Sequence, residues 1–184
     1  MNREKIIYFG FDECFGSSTD SHIILVMTVS RSHEEVHTTR YIEKQRAIIP
    51  DALMKEFLHA CININGNNRT KTIYQATEEL IYQGTNKFCN PEDEIEFYFD
   101  RNEGLIQKLK QLQNHPRLNF KDMKFIQSDD TKIPLINRAD HLANILSHYY
   151  SKRPKSIERV NRVRSIYPKL DERITQTRIY FPQT

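Results

Sequence analysis

A chain of 184 residues with 38% hydrophobic content, ten Phe and nine Tyr is long enough to fill the core of one domain. Its 28% charged residues leave no apolar run near the roughly 20 residues of a membrane-spanning helix. The net charge of +3 is uneven: Lys152–Arg178 holds nine Lys/Arg against three Asp/Glu, so that stretch carries +6 and the remainder −3.

In chain order, Lys5–Asp12 alternates and is rich in β-branched and aromatic residues, which predicts a strand. Cys14–Ser21 is a turn cluster, and the apolar run His22–Ser30 predicts a buried strand. Val36–Ile42 alternates again, giving an antiparallel three-strand meander. From Pro50, the spacing of Ala52, Leu53, Phe57 and Ala60 predicts a helix, and Asn65–Asn68 breaks it. Thr72–Gln83 predicts a second helix ending at Gly84. Glu94–Asp100 is a short strand, Glu103–Gln113 a helix, Phe120–Gln127 a strand and Leu135–Tyr150 a long helix. A last strand is expected at Arg178–Phe181. The strand–helix–strand unit between residues 94 and 127 implies a parallel pair with a right-handed crossover. The expectation is an α/β fold: a mixed five-stranded sheet, antiparallel meander plus parallel strands, flanked by helices. One domain covers residues 1–184, with a basic C-terminal extension from about 152.

Arg3, Glu4 and Lys5 are followed by no signal-peptide core, so a cytoplasmic location is expected. Cys14, Cys61 and Cys89 are too widely spaced for a zinc site or a disulfide framework, and burial is their expected role. His33-Glu34-Glu35-Val36-His37 fits the H-E-x-x-H spacing of zinc sites, which needs both histidines on one face of a helix and a third ligand. Lying between two predicted strands, it is read as a hairpin loop.

Two predicted strands end on an aspartate, Asp12 and Asp100. Ligands of open α/β sheets bind outside the carboxyl ends of the strands. If the first and fourth strands are parallel neighbours, both carboxylates emerge at that edge, where a divalent cation relieves their repulsion. Asp140 flanks the apolar stripe Ala139, Leu142, Ala143, Leu146 and Tyr149 of the long helix. From spacing alone, Asp140 is either a third member of this group or a favourable acid near a helix start. Asn144 and His148 share its side of the helix.

Phe11-Asp12-Glu13-Cys14, Phe99-Asp100-Arg101, Ser128-Asp129-Asp130 and Asn137-Arg138-Ala139-Asp140, on these elements in this order, resemble the ribonuclease-H-like superfamily. More narrowly they resemble the group called domain of unknown function 3800, over roughly residues 5–150. Cys14 and Asn137 depart from that group's usual Ser and Gln. The resemblance implies a ribonuclease-H-like fold and a metal-dependent nuclease, hydrolysing DNA or RNA phosphodiesters by a two-metal mechanism with Mg2+ or Mn2+. It implies Asp12, Asp100 and Asp140 as metal ligands, with Glu13, Asp129 or Asp130 assisting, Glu56 as a candidate fourth ligand and His148 as a candidate proton shuttle. Nucleic acid is the expected partner, through Arg101, Arg138, Arg159, Arg162 and Arg164. Two alternatives stay open: a non-catalytic nucleic-acid-binding module, or a protein-interaction module, with a degenerate ribonuclease-H-like site.

Overall fold

The computed structural model describes residues 5–15, 22–37, 49–63, 69–100, 103–128 and 132–180. It begins with two antiparallel strands, β1 (Ile6–Phe15) and β2 (His22–Ser30). Every residue of β2 is buried, which is why its sequence shows no polar alternation. Helices α1 (His33–His37) and α2 (Ile49–Met54) lead to β3 (Phe57–Asn63), antiparallel to β2. Then come α3 (Arg69–Phe88), β4 (Glu94–Asp100), α4 (Glu103–Leu109) with a 3-10 turn at Lys110–Asn114, and β5 (Asp122–Ser128). Three helices end the chain: α5 (Pro134–Tyr150), α6 (Pro154–Ile166) and α7 (Leu170–Thr177). The sheet order is β3-β2-β1-β4-β5, with β1, β4 and β5 parallel. This is the mixed five-stranded, helix-flanked α/β architecture expected from the sequence. No helix of the described residues is long and apolar enough to cross a membrane.

The third strand corrects the expectation. Val36 and His37 lie in α1, and residues 38–42 fall outside the described residues. The strand is Phe57–Asn63, in a segment whose spacing predicts a helix. Leu58, Ala60 and Ile62 enter one core, while Phe57 and Cys61 pack in the other. A strand buried on both faces loses its period of two, and periodicity alone cannot then tell it from a helix. The expected last strand is also reduced, to a single bridge between Arg178 and His59.

The two faces of the sheet are distinct. On one, Phe9, Phe97 and Phe125 stack across β1, β4 and β5, with centroids 5.1 and 5.0 Å apart, beneath α3 and α4. Helix α3 runs through Gly84, the predicted stop, because Gly84 lies against Met27: a Cβ there would stand 1.9 Å from the Met27 Cε. On the other face α5 lies across β1 and β2, and Val160, Val163, Leu170 and Ile174 of the basic tail bury against it. The tail is therefore built into this core through α6 and α7.

Gly10 sets how closely α5 approaches the sheet. A Cβ at Gly10 would meet the Leu135 backbone at 2.7 Å. The Thr28 hydroxyl donates to the Leu135 carbonyl at 2.9 Å, and also lies 3.2 Å from the Gly10 carbonyl. The first turn of α5 thus rests directly on β1 and β2.

His59 ties β3 to α5 and α7. Its ring is fully buried, with Nε2 2.9 Å from the Tyr150 hydroxyl and Nδ1 3.2 Å from the Thr177 hydroxyl. Burial, and then the nearby Arg178 cation, pull its pKa down to about 3. A histidine held neutral in the fold contributes stability above its unfolded pKa of about 6.5, lost as pH falls towards 3. Urea midpoints measured from pH 7 to pH 4 are therefore expected to fall less steeply in His59→Gln than in the parent chain.

Candidate functional site

The parallel register of β1 on β4 pairs Phe11 with Phe99, whose rings stack at 4.5 Å on the α3–α4 face. The next residues, Asp12 and Asp100, therefore sit level on adjacent strands and share the opposite face, the one α5 covers. Asp140 reaches that face from α5, five residues after Leu135 at the Gly10 contact. The Asp140 carboxyl stands close enough to Asp12 to act on its ionisation. Ser128 stands level with Asp100 on β5.

The electrostatics of this pair are unusual. Burial first, then the charge of Asp140 and the hydrogen bond to it, push the Asp12 carboxyl from the usual carboxylate range up to about 9. The Glu13 backbone N–H donates to Asp12 Oδ1 at 2.8 Å and opposes the rise only in part. Burial and a like charge alongside both disfavour the ionised form of Asp12, and a positive charge placed between the carboxyls would relieve that cost.

Asp12 and Asp140 thus lie beside each other on the α5 face, with Asp100 level on β4. Among the described residues, however, no group of three His, Cys, Asp or Glu side chains has the spacing to hold an ion as it stands. Arg101, Asp129 and Asp130 lie outside the described residues. Glu13 pairs with Leu25, so strand alternation turns its side chain to the Phe11 face; its contribution at Asp12 is the backbone N–H.

Other expected residues are placed elsewhere. Glu56 precedes β3 at the far end of the sheet, where it pairs with Arg31 and its carbonyl accepts from Val29 N–H at 3.1 Å. These contacts hold it apart from Asp12 and Asp140. His148 lies two turns beyond Asp140, with Nδ1 3.0 Å from the Ser156 hydroxyl and Nε2 3.1 Å from the Arg159 guanidinium. These contacts hold it in the α5–α6 junction rather than at the carboxylates. The Arg138 guanidinium donates to the Val29 carbonyl at 2.5 Å, and burial draws its pKa down to about 10. It anchors α5 to the end of β2 away from Asp12. On α6, Arg164 grips Asp171 in a two-pronged ion pair at 2.8 and 3.0 Å, while Arg159 and Arg162 are exposed. Arg162 pairs with Glu158 one turn away. Cys14, Cys61 and Cys89 are half-buried, and no disulfide is present among the described residues.

Sequence reasoning passed over Gly10, which lets α5 bring Asp140 to Asp12. Its signal was present: a glycine inside a hydrophobic strand marks a close backbone approach.

No family model matches the chain, and neither does any curated protein sequence. Among solved structures, the chain is similar to a ribonuclease H2 from Pyrococcus horikoshii OT3. The TM-score is 0.48 at 10% sequence identity, over 93% of this chain and 96% of that one. A likeness at that level carries nothing about activity.

Proposed function

We propose that the chain is a divalent-cation-dependent nuclease of ribonuclease-H-like type, acting on nucleic-acid phosphodiesters at the Asp12–Asp100–Asp140 edge. The observation that carries this reading is the placement of Asp140 against Asp12 on one face of the sheet, beside a third aspartate level on the next strand. Like charges gathered at the carboxyl end of a sheet destabilise the fold unless something positive occupies the edge. The donor set is carboxylate oxygen, which fits Mg2+ or Mn2+ and not a thiophilic ion. Asp12, Asp140 and Asp100 would hold the cation. Bound there, it would lower the pKa of an attacking water and neutralise charge on a phosphoryl oxygen. The chain's own part is to fix the carboxylates: β1 and β4 by their register, α5 by its seat on Gly10, and the Glu13 N–H by orienting Asp12. The narrower placement in domain of unknown function 3800 is supported by the short motifs around Asp12, Asp100 and Asp140.

Nucleic acid would reach this edge with help from α6. Lys155, Arg159 and Arg162 line one groove with Glu158, Val163 and Ile166. Arg164 is committed to Asp171 and is assigned to folding rather than to phosphate contact. Arg159→Glu is expected to weaken binding several-fold and to lower the salt dependence of binding by about one phosphate contact, whereas Arg164→Gln leaves the salt slope unchanged. Fluorescence anisotropy at several salt concentrations checks both.

The test of the activity is a panel of labelled DNA, RNA and RNA–DNA hybrid incubated with Mg2+ or Mn2+. Cleavage of at least one substrate, abolished by chelator, is expected. Salt-sensitive binding with no cleavage of any substrate would instead support the non-catalytic module.

A further inference from the structure

The sequence motif His33-Glu34-Glu35-Val36-His37 is helical, not a hairpin loop: it forms α1. A single helical turn sets residues i and i+4 on one face. His33 and His37 accordingly lie together, with ring centroids 4.4 Å apart and planes tilted by 42°. Both residues are exposed, while Val36 between them is fully buried and pins the turn to the protein.

The floor beneath the pair is aromatic. Tyr8 meets both rings edge-on, at 6.3 and 6.1 Å, and Tyr98 meets His37 edge-on at 5.9 Å. Tyr98 donates to Glu96 Oε2 at 2.8 Å, and Lys124 lies 3.3 Å from Glu96 Oε1. The Glu96 carboxylate is thereby fixed where its charge acts on His37. Glu35 is turned away, bonded to the Ser30 hydroxyl at 2.7 Å and paired with Lys55.

We propose that His33 and His37 chelate one late first-row divalent metal ion, Cu2+ or Ni2+ before Zn2+, at a site separate from the aspartates. With N–metal bonds of about 2.0–2.1 Å, each ring centroid would stand about 3.2 Å from a shared ion. Centroids 4.4 Å apart leave the two rings within reach of one such ion. Imidazole affinity rises towards Cu2+ along the first row, which sets the order of the metals. Among the described residues no third His, Cys, Asp or Glu completes the set. The missing third ligand also separates this arrangement from a zinc-hydrolase site.

The ligand chemistry divides the two sites. Imidazole favours the late transition metals, and the carboxylate edge favours Mg2+ and Mn2+. The test is calorimetric titration of the untagged full chain with Ni2+, repeated with Cu2+ while its visible ligand-field band is followed. One equivalent is expected to bind in the parent chain and in Asp12→Asn alike, with affinity at least tenfold weaker in both His33→Ala and His37→Ala. Circular dichroism of the variants checks that they remain folded. Absence of saturable binding in the parent, or unchanged affinity in both histidine variants, overturns the proposal. Binding lost in Asp12→Asn but kept in His33→Ala overturns it too, by assigning the ion to the aspartates.

Discussion

Replacing Asp12 with asparagine is expected to abolish Mg2+- or Mn2+-dependent cleavage while making the protein more stable at neutral and alkaline pH. The two effects have one cause. Asp12 is buried against Asp140, and its proton is retained up to about pH 9. Because the folded pKa lies above the unfolded value of about 3.9, the pair's contribution to stability is fully present below pH 4 and is lost as pH rises towards 9. Asparagine keeps a hydrogen-bond donor towards Asp140 and never ionises. The stability gap between Asp12→Asn and the parent should therefore widen from pH 5 to pH 9, reaching about 1–3 kcal/mol in chelator. Mn2+ should narrow it, by stabilising only the parent. The same substitution removes the carboxylate central to the proposed cation site, so cleavage should fall at least a hundredfold. Urea melts across pH, with and without Mn2+, and single-turnover cleavage assays check both halves. A variant destabilised at every pH would show that Asp12 serves the fold and not a cation.

The second large effect is expected at a residue with no side chain. Gly10→Ala places a methyl group 2.7 Å from the Leu135 backbone. Backbone cannot rotate aside as a side-chain tip does, so the first turn of α5 must lift from β1. The expected cost is about 1–3 kcal/mol, as for other overpacked cores. The functional loss should exceed what that destabilisation explains. Lifting α5 moves Asp140 relative to Asp12 and Asp100, and a displacement near 1 Å can cost about a hundredfold in rate. Cleavage measured well below the melting temperature separates the two contributions. Gly104→Ala is the control, since nothing lies within 4 Å of a Cβ there.

Much of this architecture was legible in the chain because its signals were local. β2 announced itself by an unbroken apolar run and β4 by aromatic alternation ending in Asp100; α5 did so by its apolar stripe. Where reading failed, two physical demands produced the same pattern. Phe57–Asn63 is buried on both faces, so its apolar residues satisfied helical spacing as readily as strand spacing. The single turn His33–His37 was too short for a helical stripe to show, and the strand-like pattern that follows it prevailed.

The candidate site divides in the same way. Asp100 closes β4, while β1 runs past Asp12 to Phe15, through the start of the expected turn; their level placement needed only the neighbouring of β1 and β4. Asp140 depended on how closely a helix that meets Gly10 at Leu135, 125 residues on, approaches the sheet, which no local pattern encodes. Arg138 stood beside a motif aspartate in sequence but on another side of the helix in space, and its guanidinium reaches the Val29 carbonyl instead of the candidate edge. His148 followed the helical face of Asp140, yet α6 packs over it and supplies Ser156 and Arg159 as its partners.

The most direct measurement of the central claim is Mn2+ binding, read from the loss of the free-ion electron paramagnetic resonance signal as protein is added. The proposed site predicts saturable binding by the parent chain near neutral pH, absent from Asp12→Asn and Asp140→Asn and weakened in Asp100→Asn. Equal binding by the parent and all three variants, or none by the parent, would contradict it.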